Sequence, residues 1–290
     1  MEWLEVSLTV DKEIAEAVAD VLARFAHRGV VIEAGPEGIG AGPVVVRAYL
    51  PVDGRLPQTR HRLEEALWHL GQISPLPEPS YRRIAEADWA EAWKQHLRVL
   101  HIGHRLVVRP SWLEYAPREE EVVIVLDPGM AFGTGLHPTT QMCLVALEEH
   151  VRPGTSLLDL GTGSGILSIA GAKLGAERVL ALDKDPQAVE VARENVLRNG
   201  VADRVTVMEG SLAQAHGRFD VVVVNILARV IVEMLEQGLA ERLAPGGRLI
   251  LAGLIVDQEA EVVAALHRAG LRPAGRQQID DWVGLVALPG

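Results

Sequence analysis

Three glycines at alternating positions, followed by an acidic residue, carry the strongest chemical signal in this sequence. Gly161, Gly163 and Gly165 follow the apolar segment 156–160 and precede a second apolar segment that begins near Ile166. Such a turn leaves main-chain N–H groups open to a nucleotide-like ligand, because no Cβ blocks its approach. Asp183 ends the next apolar segment, where a carboxylate can accept both hydroxyls of a ribose. The pattern predicts an adenosine-type cofactor; the alternative is a plain tight connection.

The spacing of the glycines indicates which cofactor this is. The dinucleotide fingerprint is G-x-G-x-x-G, whereas this chain reads G-x-G-x-G, with Ile166 where the third dinucleotide glycine belongs. Asp159 adds a carboxylate two residues before the turn, which would repel a pyrophosphate and attract a sulfonium or an ammonium group. Both features favour S-adenosylmethionine over NAD.

A second cluster of chemistry-bearing residues spans positions 127–140. Its glycines surround Phe132, one of only three phenylalanines, and it ends in His137, Pro138, Thr139 and Thr140. Loops presented by a rigid scaffold often carry function, so we expect an active-site flap. The alternative is a mobile connection in front of a capped helix. His137 is a possible proton acceptor, and the alternative for it is a structural or cofactor-facing role.

The third cluster follows a run of four valines, which needs burial on both faces and indicates a central strand. Asn225 stands at the end of that strand, in the crevice where α/β sheets bind ligands. Its carboxamide oxygen could accept a hydrogen bond from a substrate amine and aim the amine lone pair at a methyl group. The alternative is a helix N-cap. Ser211, after the preceding strand, could hold the edge of an adenine.

Composition limits the classes of protein to be considered. The chain has 290 residues, is 48% hydrophobic and has a net charge of −11, with its acidic residues scattered along the sequence. This length accommodates two domains, and the charge argues against a general nucleic-acid binder. A single cysteine, the absence of a long apolar run and a start unlike a signal peptide predict a cytoplasmic protein without a membrane partner.

Residues 1–87 have the pattern of a small α+β domain. Strands are predicted at 3–10, 30–32, 44–49 and 81–85, with helices at 13–26 and 58–70, and the order βαββαβ is the ferredoxin-like arrangement. Residues 88–104 form a predicted linker that begins as a helix with Trp89 and Trp93 on one face. Packing at the joint between domains is the interpretation of this pair, with ligand contact as the alternative.

Residues 105–290 form the predicted catalytic domain. After strands at 107–109 and 122–126, strands at 156–160, 178–183, 204–208, 219–225 and 247–253 alternate with helices at 164–174, 186–199, 227–243 and 257–269. Short alternating elements of this kind predict a parallel sheet. The apolar segments 271–279 and 282–288, split by two aspartates, predict a terminal antiparallel hairpin at the sheet edge.

Together these motifs resemble the PrmA family of methyltransferases, which modify large-subunit ribosomal protein eleven. The resemblance covers nearly the whole chain and rests on the segments 88–94, 110–112, 127–140, 158–176, 183–189 and 225–228. It implies a class I methyltransferase fold, S-adenosylmethionine as cofactor, and trimethylation of lysine and N-terminal amines of that ribosomal protein. It places cofactor contacts at Thr140, Gly161, Asp183 and Asn225, and a substrate-recognition domain at the N-terminus.

We therefore expect a cofactor site formed by Thr140, Gly161, Gly163, Asp183, Asn225, Phe132 and Ser211, with Asn225 also catalytic and no metal. The expected partner is the ribosomal protein, free or before assembly, with no nucleic acid required and the enzyme a monomer. A methyltransferase for small molecules or nucleic-acid bases, an NAD-dependent oxidoreductase and a non-catalytic adaptor remain alternatives.

Overall fold

A computed structural model describes residues 2–23, 25–26, 30–34, 43–72, 75–85, 99–126, 135 and 137–290. The chain divides into two compact units, Met1–Leu97 and Arg98–Gly290. Phe132 and the predicted Trp89–Trp93 pair lie outside the described residues. Within the described part of the chain, no helix is long and apolar enough to cross a membrane.

The first unit has the predicted order of elements. These are β1 (Glu2–Val10), α1 (Lys12–Ala23), β2 (Val30–Ala34), β3 (Val44–Pro51), α2 (Leu56–Gly71) and β4 (Ser80–Ala85). The four strands form one antiparallel sheet in the order β2-β3-β1-β4. Alternate residues of β1, from Leu4 to Val10, are buried in a core shared with both helices, as the period of two predicts.

A small three-stranded sheet opens the second unit. It consists of β5 (Leu100–Ile102), β6 (Leu106–Arg109) and β7 (Val122–Val125), with β5 antiparallel and β7 parallel to β6. The last two strands were predicted from the sequence. The first was not, because its three residues fell inside the predicted linker 88–104.

The main sheet of the second unit confirms the predicted α/β fold with its terminal hairpin. Its strands are β8 (Ser156–Leu160), β9 (Arg178–Asp183), β10 (Val205–Glu209), β11 (Phe219–Asn225), β12 (Leu243–Ile255), β13 (Leu271–Ile279) and β14 (Trp282–Pro289). Their order is β10-β9-β8-β11-β12-β14-β13. The first five strands in this order, β10 to β12, are parallel to one another, whereas β14 is antiparallel to both β12 and β13.

Helices cover both faces of this sheet. Residues of α3 (Pro138–His150), α4 (Ile166–Lys173) and α5 (Pro186–Arg198) belong to one core, and residues of α6 (Ala228–Glu236) and α7 (Val256–Arg268) to the other. The four valines of β11 divide evenly, with Val221 and Val223 in the first core and Val222 and Val224 in the second. The prediction of a strand buried on both faces is therefore confirmed.

The predicted helix 227–243 is wrong in its second half. Helix α6 ends at Glu236, Gly238 has a φ of 92°, and a short 3-10 helix (Leu239–Arg242) leads into β12. The Pro-Gly-Gly segment 245–247, expected to end the helix, lies instead inside β12. The strand tolerates it because the register shifts from Phe219↔Leu243 to Val221↔Arg248, which places these residues in a bulge of the ladder.

Candidate active site

The glycine turn between β8 and α4 is fastened to the neighbouring strand β9. The N–H groups of Gly161 and Thr162 donate to the carbonyl of Leu182 at 2.8 and 3.0 Å. Gly161, Gly163 and Gly165 have φ values of 76°, 55° and 83°, a region that favours glycine. A Cβ on Gly165 would lie 3.3 Å from Cβ of Ala192 in α5, so this glycine permits the turn to pack closely against α5.

Asp159 does not face the cofactor, contrary to the argument from the sequence. Its side chain is fully buried below the turn, where Oδ2 accepts hydrogen bonds of 2.7 Å from Thr162 Oγ1 and Ser168 Oγ. Burial raises the pKa of Asp159 to about 6, against the lowering effect of those two hydroxyls. The carboxyl group therefore fixes the turn to the start of α4 rather than binding a ligand charge.

Asp183 stands at the carboxyl end of β9, opposite the glycine turn. Its Oδ2 accepts a 2.8 Å hydrogen bond from the N–H of Gly163, and its Oδ1 accepts a 3.0 Å bond from the N–H of Asp185. Each carboxylate oxygen has two lone pairs, so both can still accept a ligand hydroxyl. Because the backbone holds the carboxylate in place, Asp183 presents a preorganised double acceptor.

Asn225 ends β11 and is oriented by a neighbouring helix. Its Nδ2 donates to Oγ1 of Thr140, a buried residue in the first turn of α3, at 3.3 Å. This bond uses the amide nitrogen and leaves the amide oxygen as an acceptor. Helix α6 has Leu227 at its N-cap position, without a side-chain cap, so Asn225 is not the cap that the alternative interpretation required.

The turn after Asn225 packs against a glycine that the sequence analysis missed. Gly253 in β12 has a φ of 91°, and a Cβ there would overlap the backbone of Ile226. The register of β12 against β14 shifts at this point, between Leu251 and Leu254. A glycine inside an otherwise apolar strand is the available sequence signal for such a bulge and close approach.

One cavity of about 630 Å³ joins these groups. Six of the seven predicted cofactor residues line it, namely Thr140, Gly161, Gly163, Asp183, Ser211 and Asn225. Phe132, the seventh, lies outside the described residues. Further lining residues outside that predicted set include Thr139, Lys184, Ile226, Leu227, Val230, Met234, Gly253 and Trp282. The volume falls in the usual range for small-molecule sites.

His137 caps helix α3 and also lines the cavity. Its Nδ1 accepts a 3.3 Å hydrogen bond from the N–H of Thr139 and lies 2.7 Å from Oγ1 of the same residue. Burial lowers the pKa of His137, which keeps the imidazole neutral at neutral pH. The histidine therefore has a structural role at the helix start as well as a place on the cavity wall.

Trp282 contributes an aromatic wall that no motif in the sequence indicated. It begins β14, lines the cavity, and its ring centroid lies 4.7 Å from that of His137 at an interplanar angle of 70°. The two aspartates before it were interpreted only as a hairpin turn. Asp280 does adopt the left-handed conformation there, with a φ of 52°, and so sets the point at which Trp282 enters the strand.

Comparison with known proteins decides the family. A model of the ribosomal protein L11 methyltransferase family (PrmA) matches residues 2–288. This chain belongs to that family. As a member of the family it is a methyltransferase, in agreement with the sequence resemblance, and the NAD-dependent oxidoreductase alternative is excluded.

Two relatives resemble the chain along almost its whole length, and a solved structure resembles part of it. The ribosomal protein L11 methyltransferase of Chloroflexus aurantiacus is 50% identical over 319 residues, which cover 98% of this chain and 97% of the relative. That of Herpetosiphon aurantiacus is 45% identical and covers 98% of each chain. The crystal structure of ribosomal protein L11 methylase from Lactobacillus delbrueckii is 35% identical, with a TM-score of 0.60 over 65% of this chain and 97% of that one.

Proposed function

We propose that this methyltransferase transfers methyl groups from S-adenosylmethionine to lysine side-chain and N-terminal amines of ribosomal protein L11. The observation that carries the proposal is the hydrogen bond from Asn225 to Thr140, which fixes an amide acceptor in the same cavity as Asp183 and the glycine turn. An amide oxygen can accept a hydrogen bond from an amine nucleophile. A carboxylate beside a glycine turn can bind the ribose hydroxyls of an adenosine.

The lining of the cavity suits S-adenosylmethionine, which supplies a methyl group on a sulfonium. Asp183 offers acceptors for both ribose hydroxyls, and Ser211 is available for the adenine edge. Gly161 and Gly163 leave the cavity wall without side chains next to Asp183. Asn225 and Trp282 then mark the part of the cavity where a substrate amine would enter.

The amine must be neutral to attack, whereas a lysine amine has an ordinary pKa near 10.4. The apolar side chains of Ile226 and Leu227, which directly follow Asn225, would lower that pKa by excluding water. Asn225 would then orient the amine by accepting one of its N–H bonds. Positioning and desolvation supply most of the rate enhancement in this scheme, without a dedicated general base.

The direct test is incubation of the purified protein with purified ribosomal protein L11 and isotopically labelled S-adenosylmethionine, followed by mass spectrometry of the products. We expect label on amines of the ribosomal protein, and none on nucleosides or free small amines offered at the same concentration. Label on nucleosides or small amines alone would contradict the proposed substrate, and the absence of label on every acceptor would contradict the proposed methyl donor.

The proposal also covers the location and oligomeric state of the enzyme and the assembly state of its substrate. We place the protein in the cytoplasm, acting as a monomer on the ribosomal protein when it is free or not yet assembled, without nucleic acid. Free ribosomal protein should therefore be methylated faster than assembled ribosomes, and nuclease treatment should leave the rate unchanged. Sedimentation of the active enzyme as a dimer would contradict the monomer.

A further inference from the structure

Two aromatic rings form a corner in the wall of the cavity. The rings of His137 and Trp282 lie 4.7 Å apart and 70° from coplanar, so that two nearly perpendicular planes meet there. Both residues line the same cavity as Asn225. We call this pair the His137–Trp282 corner. Perpendicular aromatic planes are the arrangement that surrounds a bulky cation on more than one side.

Hydrogen bonds hold the His137 ring, and strand pairing fixes the backbone of Trp282, whose ring packs against His137. Thr139 holds His137 through its N–H and hydroxyl, and Trp282 is fixed at the start of β14, where it pairs with Ile255 of β12 and Ile279 of β13. A receptor for a weakly bound cation needs such preorganisation, since little binding energy is available to order the rings.

The charges around the corner also suit a cation. Among the described lining residues, Lys184 is the one with a permanent positive charge, and it follows Asp183 at the end of β9 rather than Asn225 at the end of β11. His137 is kept neutral by its burial. The corner therefore has no positive charge of its own, and its indole is the aromatic ring that binds cations best.

We propose that the His137–Trp282 corner is a receptor for methylated ammonium groups and thereby favours the later steps of the trimethylation that the family resemblance implies. This inference rests on the proposed function and names the substrate class of the same site. Each methyl group enlarges the ammonium and weakens its hydration, which favours contact with aromatic faces over contact with water. Selectivity of the corner should therefore increase from the first transfer to the third.

Each transfer balances in the same way. The lone pair of the neutral amine forms the new N–C bond while the S–CH3 bond breaks and leaves its electron pair on sulfur. The nitrogen becomes positively charged in the transition state, next to the rings. For the first two transfers the product ammonium then loses a proton to water before the next cofactor binds; the third product has no such proton and leaves as a permanent cation.

The test on the enzyme compares two variants of Trp282. Trp282→Phe keeps an aromatic face, whereas Trp282→Leu keeps apolar volume without one; Trp112→Leu, an exposed tryptophan that is not among the cavity-lining residues, is the matched control. Mass spectrometry of ribosomal protein L11 over time gives separate rates for the first, second and third transfers. We expect Trp282→Leu to slow the third transfer at least tenfold more than the first, so that mono- and dimethylated products accumulate.

In the same assay Trp282→Phe should restore most of the trimethylated product, and Trp112→Leu should match the wild type. If Trp282→Leu slows all three transfers by the same factor, Trp282 only shapes the cavity and the proposal is overturned. Loss of the third transfer in the Phe variant to the same extent as in the Leu variant would overturn it as well.

A binding experiment separates this inference from the proposed function. Choline carries a trimethylammonium group, and 3,3-dimethylbutan-1-ol is its uncharged analogue of the same shape. NMR titration of the S-adenosylhomocysteine complex should show choline binding more tightly than the alcohol, with the preference reduced at least fivefold in Trp282→Leu. Equal binding of the two probes would overturn the receptor. If choline binds in this way but ribosomal protein L11 is not methylated, the proposed substrate fails and the receptor stands.

Discussion

The N–H of Gly163 donates a 2.8 Å hydrogen bond to Oδ2 of Asp183 and so joins the turn after β8 to the carboxylate after β9. The two sequence features that predicted an adenosine-type cofactor are therefore joined by a hydrogen bond. Asp183 fixes the loop that leaves room for the ligand while keeping lone pairs for ligand hydroxyls. Any change to this carboxylate acts on both the acceptor and the shape of the turn.

The first prediction concerns the affinity for the cofactor. Asp183→Ala removes the anchor of Gly163 together with the two proposed charge-assisted hydrogen bonds to a ribose, each worth roughly 1.5–3 kcal/mol. We expect calorimetry to show S-adenosylhomocysteine binding at least tenfold weaker, with the fold intact by circular dichroism. Asp183→Asn keeps the shape of the side chain and one acceptor oxygen, so it should lose less affinity than the alanine variant.

Asp185→Ala is the matched control for that experiment. It removes the same charge two residues away, where the side chain caps α5 by accepting from the N–H of Gln187 at 2.9 Å. Affinity should stay within about twofold, although stability should fall by about 1 kcal/mol for the lost cap. Equal losses in both aspartate variants would mean that general charge, rather than the ribose acceptor, governs affinity.

The second prediction separates chemistry from binding at Asn225. Asn225→Ala should lower kcat about a hundredfold, because a contact that orients the amine is strongest in the transition state. Thr140→Val removes the hydroxyl that accepts from Asn225 Nδ2, at a residue also expected to contact the cofactor, so we expect a loss of about tenfold, and Thr140→Ser should restore the rate. If turnover falls no further than cofactor affinity in either variant, Asn225 is a binding residue alone.

The third prediction is a pH dependence of stability caused by Asp159. Burial raises the pKa of this carboxyl to about 6, above its value in the unfolded chain. The folded state then binds the proton more tightly, so the free energy of unfolding falls as the pH rises from about 4 to about 6 and the contribution is constant above that. A shift of this size corresponds to about 2–3 kcal/mol.

Asp159→Asn removes that titration while an amide oxygen can still accept from Thr162 and Ser168. In urea unfolding, the stability of the variant relative to the wild type should increase as the pH is raised from 4 to 7. The lowered pKa values of His137 and His150 act in both proteins and cancel in the difference. A difference that is independent of pH would show that Asp159 titrates normally.

The sequence was sufficient where a local pattern dictates the outcome. Four consecutive valines require burial on both faces, and two aspartates between apolar segments require a hairpin; both elements formed as predicted. The break of the predicted helix at Gly238 did have a local signal, because a left-handed glycine directly after the last helical turn commonly ends a helix. The place of Trp282 in the cavity depends instead on pairing between strands distant in the chain, and no local signal contains such a register.

The fourth prediction tests the close approach of β12 to the turn after Asn225. Gly253→Ala places a Cβ onto the backbone of Ile226 and forces alanine to adopt a φ of 91°, which is unfavourable for any residue with a Cβ. We expect a loss of stability well above the roughly 1–3 kcal/mol of the backbone strain alone, and a lower kcat because Asn225 is displaced.

Gly246→Ala is the control that has the backbone strain of a positive φ without a steric overlap. Gly246 lies in the same strand with a φ of 75°, but nothing lies within 4 Å of a Cβ there. This variant should lose no more than about 1–3 kcal/mol in urea unfolding and keep its kcat. If both glycine variants behave alike, the contact with Ile226 does not position Asn225.

The last prediction concerns the division of labour between the two units. The second unit contains every described residue of the cofactor cavity and has two apolar cores of its own, whereas the first has a separate core between its sheet and helices. Removing residues 1–97 should therefore leave S-adenosylmethionine affinity within about threefold, since no cofactor contact is lost. Methylation of ribosomal protein L11 should fall more than a hundredfold, because a separate module is expected to hold the protein substrate while its amines are presented to the cavity.

Calorimetry and mass spectrometry on the truncated protein measure the two effects, and circular dichroism checks that it folds. Near-normal methylation by a folded truncated protein would leave the first unit without a recognition role.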